Sequence, residues 1–357
     1  MRHVDLPTMR RRARAWRNIA TSATMRRVDP GWIPKPHAAH LITTFRCNLK
    51  CQGCGSWKVK EHNDLSTEEW LDVFGQLRSL DIVKVLGGEP FIRKDIVQLL
   101  TGVREIIDPY VMQLTTNGML TKQVVTALEA VGWPGLQLRI SVDGLSNTHD
   151  KIRGVDGSHN KVVDTCRKVA ELQPRLGFKF GINFALTDSS IDELDEMIAF
   201  ADSLGADLIP GVNVDPFLVA TTPPEIRQQE VIMLSDTDRA LAALRDSRVG
   251  LRKQLPGVDH LLSRFLVKQT FGLELEEKVA SFPCRELRDL LYMLPNGDVV
   301  RCGMDHEAIG NVRDARFDDI WYGSRIRKYR KKVDNCPGCM QASIQIMSRL
   351  YGGCLLA

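Results

Sequence analysis

Three cysteines lie within eight residues of this 357-residue chain, at Cys47, Cys51 and Cys54 in the run RCNLKCQGCGSW. Thiolates are soft ligands that bind zinc, copper(I) or iron–sulfur clusters, so the spacing has to indicate which of these is held. A structural zinc site needs four protein ligands, and no fourth cysteine lies near these three. A four-iron cluster on three thiolates would keep one iron open. The run therefore indicates a metal centre with an open position.

A second group of cysteines lies near the C-terminus, at Cys284, Cys302, Cys336 and Cys339. The first two frame a predicted β-hairpin, with PNGD as the turn between two alternating runs. The last two form a CxxC near a predicted helix start. By spacing alone, four thiolates in this arrangement could hold zinc.

Short β-rich runs alternate with helical runs from about residue 38, which is typical of parallel βα units. Between the first two predicted strands, Ser66 and Glu69 have capping-box spacing and start a predicted crossover helix. Six βα units predict an α/β fold, a partial (β/α)6 TIM-like barrel. The predicted strands are His40–Thr44, Ile82–Leu86, Val111–Thr116, Leu136–Val142, Phe178–Phe184 and Asp207–Val214.

Unusual turns follow the first four of these strands. The three-cysteine run follows the first, and GGEP (87–90), TTNG (115–118) and SVDG (141–144) follow the next three. Because the chemistry of such barrels lies at the C-terminal ends of the strands, these turns should share one catalytic rim.

CxxxCxxC after the first strand, together with GGEP and SVDG, resembles the radical S-adenosylmethionine (SAM) superfamily. The resemblance implies a 4Fe–4S cluster on Cys47, Cys51 and Cys54 whose open iron binds SAM. It also implies a flavodoxin or ferredoxin as reductant, and reductive cleavage of SAM to a 5′-deoxyadenosyl radical that abstracts a hydrogen atom from substrate.

The resemblance also suggests which rim residues contact SAM. Gly87, Gly88 and Glu89 would meet its methionyl amino group. Ser141 and Arg153 would hold its carboxylate, since a guanidinium suits that task. Asn117 and Asn183 would face ribose or adenine. Each could equally be a plain turn residue. Many relatives have an aromatic residue before the third cysteine where this chain has Gly53, and Trp57 could substitute.

Beside such a core, the second cysteine group resembles a shortened SPASM or "twitch" extension with one auxiliary 4Fe–4S cluster on Cys284, Cys302, Cys336 and Cys339. Four cysteine ligands would leave no open iron, so this cluster would carry electrons or shape the site. Cys166 is predicted to be core packing. Cys354 is either an idle thiol or, as in related epimerases, a hydrogen-atom donor to a substrate radical.

Composition sets the broader expectations. The chain has a charged fraction of 26% and no apolar run near the roughly 18 residues of a membrane span, and we expect a cytoplasmic enzyme. Nine cysteines in a reducing compartment argue for metal or catalysis over disulfides. The basic N-terminus is expected to be a solvated helix packed on the main body, although it could touch an anionic lipid surface. No interleaved aromatic pattern suggests nucleic acid.

Four segments are expected: a basic N-terminal segment (1–37), the barrel (38–216), a helical linker or lid (217–280) and the auxiliary cluster domain (281–357). Only some 38 residues precede the first predicted strand, and they contain no recognisable precursor-peptide-binding module. This favours a small-molecule substrate, although peptide maturases can recruit a separate binding protein. Asp143, Asp215 and Arg46 are candidate substrate contacts or structural ion pairs.

We expect oxidation of a sugar, a cyclitol or another biosynthetic intermediate. The alternatives are an epimerase or a ribosomal-peptide maturase with the same radical initiation. A further alternative is an iron–sulfur electron-transfer protein without SAM chemistry, which would not need the SAM-binding rim.

Overall fold

The computed structural model describes residues 6–60, 62–212, 284–303, 305–336 and 342–352. The predicted linker or lid lies outside these ranges, as do Asp215, Cys339 and Cys354. The barrel and most of the C-terminal segment are therefore described.

The described strands belong to a single sheet of nine. They are β1 (Ala38–Ile42), β2 (Ile82–Leu86), β3 (Val111–Thr116), β4 (Leu136–Ser141), β5 (Lys179–Leu186), β6 (Asp207–Val212), β7 (Leu290–Met293), β8 (Asp298–Cys302) and β9 (Asp305–Asn311). Their spatial order is β6-β5-β4-β3-β2-β1-β7-β8-β9. β1 to β6 pair in parallel, which confirms the predicted open α/β barrel.

The strand predictions are accurate to within two residues in the described part of the chain. β2 and β3 have the predicted bounds, whereas β1 begins and ends two residues early. β6 is described only to Val212.

The C-terminal hairpin extends the same sheet. β7 pairs in parallel with β1, placing Leu290 beside Ala38, and β8 and β9 continue the sheet in antiparallel pairs. The turn between β7 and β8 contains Gly297 at φ +90°, a left-handed conformation that glycine adopts without strain. The predicted PNGD hairpin is thus confirmed, and it lies against the first barrel strand.

Helices cover the outside of the sheet. In chain order they are α1 (Leu6–Val28), α2 (Thr67–Gln76), α3 (Ile96–Gly102), α4 (Thr121–Val131), α5 (Ser146–Arg153), α6 (Ser158–Leu176), α7 (Leu194–Ser203), α8 (Phe317–Tyr322), α9 (Ser324–Asp334) and α10 (Ala342–Gly352), with shorter turns at Ser56–Lys58, Pro90–Ile92, Val103–Ile107 and Ile191–Glu193. The predicted capping box starts α2: Ser66 Oγ accepts from the Glu69 amide, and the Glu69 carboxylate accepts from the Ser66 amide. None of the described helices has the length and apolar character that a membrane span requires.

The main core lies between the sheet and these helices. Val83 and Val85 of β2 pack there with Trp70 and Phe74 of α2, and all four side chains are buried. Each such side chain contributes roughly 1.5–3 kcal/mol on burial. Cys166 of α6 is buried in the same core, as predicted. Because side chains alternate along a strand, the residues between these core positions face the barrel interior.

The N-terminal ends of the strands are covered by α1 and α10. Ile19 of α1 packs with Ala38, Leu290 and Tyr351 in a second apolar cluster. Arg14 binds the buried Asp81 carboxylate at 3.0 Å. The basic N-terminal helix therefore packs on the main body, and Arg14 neutralises a buried carboxylate there.

Candidate active site

The thiol run forms a loop that leaves the C-terminal end of β1. Cys47, Cys51 and Cys54 are half-buried, and the amide of Cys54 donates to the Cys51 carbonyl at 3.3 Å. Gly55, at φ +81°, then turns the chain into the short helix Ser56–Lys58. The three thiols therefore lie at the barrel rim, as predicted.

The GGE turn after β2 supports the start of this loop. The amide of Gly88 donates to the Thr44 carbonyl and that of Glu89 to the Arg46 carbonyl, both at 2.8 Å. A Cβ atom at Gly87 would lie 2.6 Å from the Thr44 oxygen, and one at Gly88 would overlap the Arg46 oxygen. The two glycines are thus required by the loop that leads to Cys47, a packing reason that the sequence did not indicate.

The end of α5 supports the middle of the loop. The amide of Lys50 donates to the Arg153 carbonyl at 3.2 Å, and that of Gln52 donates to the Ile152 carbonyl at 2.9 Å. Gly154 ends the helix at φ +69°, where a Cβ atom would overlap the Lys50 carbonyl. The loop is therefore bonded to two neighbouring elements.

Two polar side chains reach the sulfur atoms from the sides. Asn117 Nδ2 lies 3.8 Å from Cys47 Sγ, and Arg153 Nη1 lies 3.8 Å from Cys51 Sγ. Burial, with a further contribution from neighbouring thiols, raises the pKa of Cys47 to about 12 and that of Cys51 to about 11. Thiolates here need a nearby cation, which the iron of a cluster supplies, so the donor set fits such a group.

No group of three or more His, Cys, Asp or Glu side chains in the described ranges surrounds a single metal-ion position. Each cysteine of a 4Fe–4S cluster binds a different iron atom, so such a cluster does not require three side chains to converge on one metal position.

Glu89 is completely buried beneath the rim. Its carboxylate accepts from the amide of Asn117 at 2.7 Å, from Thr116 Oγ1 at 2.8 Å and from the amide of Phe91 at 3.1 Å. Burial raises its pKa to about 7, although these hydrogen bonds oppose the shift. Glu89 thus joins the turns after β2 and β3. Thr116 was not predicted as a site residue, although it belongs to the TTNG turn.

Arg153 forms an ion pair at the same rim. Its Nη2 lies 2.7 Å from the Asp143 carboxylate, whose other oxygen accepts from the Ala185 amide. The guanidinium therefore lies between a carboxylate and the Cys51 sulfur. Of the other two candidate substrate contacts, Arg46 is 3.7 Å from Asp64, and Asp215 lies outside the described residues.

The other predicted SAM contacts share this rim. Ser141 and Asn183 are register partners on β4 and β5, and both are half-buried. Asn117 follows β3 and binds Asn48 Oδ1 at 2.8 Å. The fold thus brings Gly87, Gly88, Glu89, Asn117 and Arg153 around the thiol loop, which follows β1. Ser141 lies at the end of β4 and Asn183 beside it on β5.

The second thiol set comes from separate elements. Half-buried Cys284 precedes β7, half-buried Cys302 ends β8 and exposed Cys336 follows α9. Burial alone would lower the pKa of Arg301, but Cys302, Asp305 and Cys336 together raise it, so Cys302 and Cys336 lie near the same guanidinium. Cys339 falls outside the described residues.

Comparisons with known proteins agree with this geometry. Residues 41–201 match the radical SAM superfamily, and residues 284–340 match SPASM, an iron–sulfur cluster-binding domain. Residues 41–201 are therefore a radical SAM domain and residues 284–340 a SPASM domain, and the cofactors of these domains are SAM and 4Fe–4S clusters.

Two curated relatives extend over most of the chain. The PqqA peptide cyclase of Rhodopseudomonas palustris is 26% identical over 337 residues, covering 89% of this chain and 82% of the relative. The AdoMet-dependent heme synthase of Methanosarcina barkeri is 26% identical over 322 residues, covering 84% and 86%.

Among solved structures, Streptococcus suis SuiB bound to SAM shares the fold. Its TM-score is 0.58 at 18% identity, over 86% of this chain and 70% of SuiB. SuiB bound to its precursor peptide SuiA gives a TM-score of 0.59 at 20% identity, over 86% and 69%.

Proposed function

We propose that this chain is a radical SAM enzyme that modifies a peptide. The observation that carries the proposal is the similarity to the PqqA peptide cyclase, which extends over 89% of the chain and so includes more than the SAM-binding barrel. This replaces the small-molecule substrate favoured by the short N-terminal segment as the leading interpretation.

We assign Cys47, Cys51 and Cys54 to the cluster that binds SAM. When bound, cluster and SAM supply a 5′-deoxyadenosyl radical for hydrogen abstraction. The chain supports this chemistry by position. Asn117 and Arg153 place N–H groups near two of the sulfurs, where donors stabilise sulfur charge and influence the reduction potential.

The remaining rim assignments concern SAM itself. Gly87, Gly88 and Glu89 form the turn nearest the loop, and Ser141 and Asn183 stand side by side at the rim. We retain all five as SAM contacts. For Glu89, three hydrogen bonds within the protein leave one lone pair of the carboxylate for the SAM ammonium.

We assign the auxiliary cluster to Cys284, Cys302, Cys336 and Cys339. With four cysteine ligands it has no open iron and serves as an electron acceptor, so the net reaction is an oxidation. A flavodoxin or ferredoxin reduces the enzyme. Cys354 stays a minority candidate for the hydrogen donor of an epimerase.

The substrate class is tested with a cell extract. Reconstituted, reduced enzyme is incubated anaerobically with SAM and the extract, and 5′-deoxyadenosine is measured above the substrate-free rate. A peptide substrate predicts that digesting the extract with a broad-specificity protease, then removing the protease, abolishes the stimulation. Mass spectrometry should find a peptide that has lost two hydrogens in a SAM-dependent manner.

A second candidate is oxidation of a small molecule, favoured by the similarity to the heme synthase over 84% of the chain. Stimulation that survives protease digestion would support this candidate and contradict the peptide proposal. An iron–sulfur carrier would form no 5′-deoxyadenosine with either extract.

A further inference from the structure

The barrel interior contains a row of polar side chains below the rim. Pairing register places these residues side by side on the inward face of consecutive strands: His40, Lys84, Gln113, Gln137 and Lys179. One step nearer the rim, Arg139 of β4 lies beside Gly181 of β5, and Gly181 lies beside Asp207 of β6. Among these residues Lys84, Lys179 and Arg139 are basic, and Asp207 is the acid.

Arg139 extends across the neighbouring strand β5 inside the barrel. A Cβ atom at Gly181 would overlap Arg139 Nη1, so the glycine is what lets the guanidinium lie over β5. Nη1 is buried and has no hydrogen-bond partner in the described ranges. The Asp207 carboxylate favours the charged form of Arg139 and so acts to raise its pKa. Asp207 Oδ2 nevertheless has no hydrogen-bond partner in the described ranges. The chain thus orients a guanidinium into the interior and leaves donors unused.

Lys84 is in a similar situation on β2. Within the described residues Lys84 forms no hydrogen bond or ion pair, and its neighbours His40 and Arg139 are themselves basic side chains. Burial, with repulsion from Arg139, lowers the pKa of Lys84 to about 8. Burial raises the pKa of Asp207 to about 7, so this acid offsets the cations only partly at neutral pH. An anion between Lys84 and Arg139 would relieve this repulsion.

We propose that Lys84 and Arg139 bind a carboxylate of the substrate inside the barrel. At roughly 3.3 Å per residue, Arg139 lies about 7 Å below Ser141 and Lys84 about 10 Å below Gly87. A substrate reacting at the rim would thus be anchored by an acidic group beneath it. If the substrate is a peptide, as proposed above, the group is the side chain of a glutamate or aspartate. The anchor itself does not depend on that function.

The test uses two probes of nearly equal shape, N-acetylglutamate α-amide and N-acetylglutamine α-amide. Both are titrated calorimetrically into the cluster-loaded, SAM-bound enzyme at fixed ionic strength. We expect N-acetylglutamate α-amide to bind at least about ten-fold more tightly than the glutamine analogue. Lys84→Met and Arg139→Met should each raise the dissociation constant of the glutamate probe by about ten-fold or more. The matched control is Lys168→Met, which removes an exposed lysine paired with Asp164 and should leave the dissociation constants of both probes unchanged.

Equal dissociation constants for acid and amide, or unchanged binding of the acid in both interior variants, would overturn the proposal. Arg139→Lys keeps the charge and should retain most of the affinity, which guards against misfolding of the methionine variant. Thermal unfolding separates a binding role from a structural one. Removing a half-buried cation that forms no ion pair within the described residues should leave the melting temperature equal or higher. A clear decrease would show that the protein itself neutralises the charge and would count against the anchor.

The anchor and the peptide proposal can fail separately. If extract stimulation is protease-resistant and the acid probe still binds, the peptide proposal fails and the anchor stands. If modified peptides include ones without an acidic residue and the acid probe does not bind, the anchor fails and the peptide function stands.

Discussion

The two thiol sets are positioned by the chain in different ways. Cys47, Cys51 and Cys54 lie on one loop, bonded to the GGE turn on one side and to the end of α5 on the other. Cys284, Cys302 and Cys336 come from three elements. Cys302 and Cys336 both lie near Arg301, where β9, which follows Cys302, packs against α9, which precedes Cys336. One contact in that packing is the bond from Arg325 to the Ala308 carbonyl at 2.7 Å. The first set thus depends on its immediate neighbours, and the second on long-range packing.

The comparison is tested most strongly by removing the rim thiols. Cys47→Ala/Cys51→Ala/Cys54→Ala should lose SAM cleavage completely, because the open iron is lost, while about half of the iron of the wild-type protein remains in the C-terminal set. Iron content and 5′-deoxyadenosine formation measure the two effects.

The counterpart variant is Cys302→Ala/Cys336→Ala. It should also lose about half of the iron, yet still form 5′-deoxyadenosine while forming no oxidised product. Loss of all iron from either variant would show that the two sets are not independent.

Arg153 tests how the neighbouring element supports the rim. It pairs with the buried Asp143 and lies near Cys51, so Arg153→Met leaves a buried carboxylate unpaired and should lower the free energy of unfolding by about 3 kcal/mol. The matched control is Arg175→Met, whose pair with Glu129 is exposed at 61% and 48% and should contribute about 0–1 kcal/mol. Urea unfolding of the iron-free protein measures both. If both variants lost a similar free energy of unfolding, the Arg153–Asp143 pair would stabilise the fold no more than an exposed ion pair does.

Gly88 tests the other support. Gly88→Ala forces the Arg46 carbonyl away and should cost about 1–3 kcal/mol, with reduced iron loading at the rim alone. Gly75→Ala is the control, since a Cβ atom there has no heavy atom within 4 Å and lies in α2, where alanine should stabilise by about 0.5–1 kcal/mol. Full rim loading in Gly88→Ala would contradict the proposed support.

His149 predicts a pH dependence of the rim. It is fully buried, its Nδ1 accepts from the Asp143 amide at 3.1 Å, and burial, with Arg153 and His159, lowers its pKa to about 3. In the unfolded chain this histidine binds a proton near pH 6.5, whereas in the folded chain it stays neutral. The contribution of His149 to the free energy of unfolding is therefore fully present above pH 6.5 and falls as the pH decreases. The loss should be about 1 kcal/mol from pH 6.5 to 5.5, because the histidine of the unfolded chain is already half-protonated at pH 6.5.

Urea unfolding at the two pH values, compared between wild type and His149→Gln, isolates this contribution. A glutamine oxygen can still accept from the Asp143 amide. An equal pH dependence in the two proteins would refute the assignment.

Features that depend on a few neighbouring residues could be predicted from the sequence. The capping box at Ser66 and Glu69, the hairpin around Gly297 and the bounds of β2 follow from local hydrogen bonds and alternation, and all were predicted. The placement of the three rim thiols on one loop follows from their spacing. These features are local because a turn or a cap is complete within about four residues.

Only the tertiary structure decided the rest. The pairing of β7 with β1 joins residues about 250 positions apart, and strand order depends on which faces can be buried together. The glycines of GGE were expected to approach SAM, yet their close contacts are with the Thr44 and Arg46 carbonyls. This contact joins residues more than 40 positions apart, so no local sequence pattern predicts it. The interior position of Lys84 and Arg139 likewise required the register of four strands, because a lysine and an arginine 55 residues apart become neighbours only when the sheet curves around them.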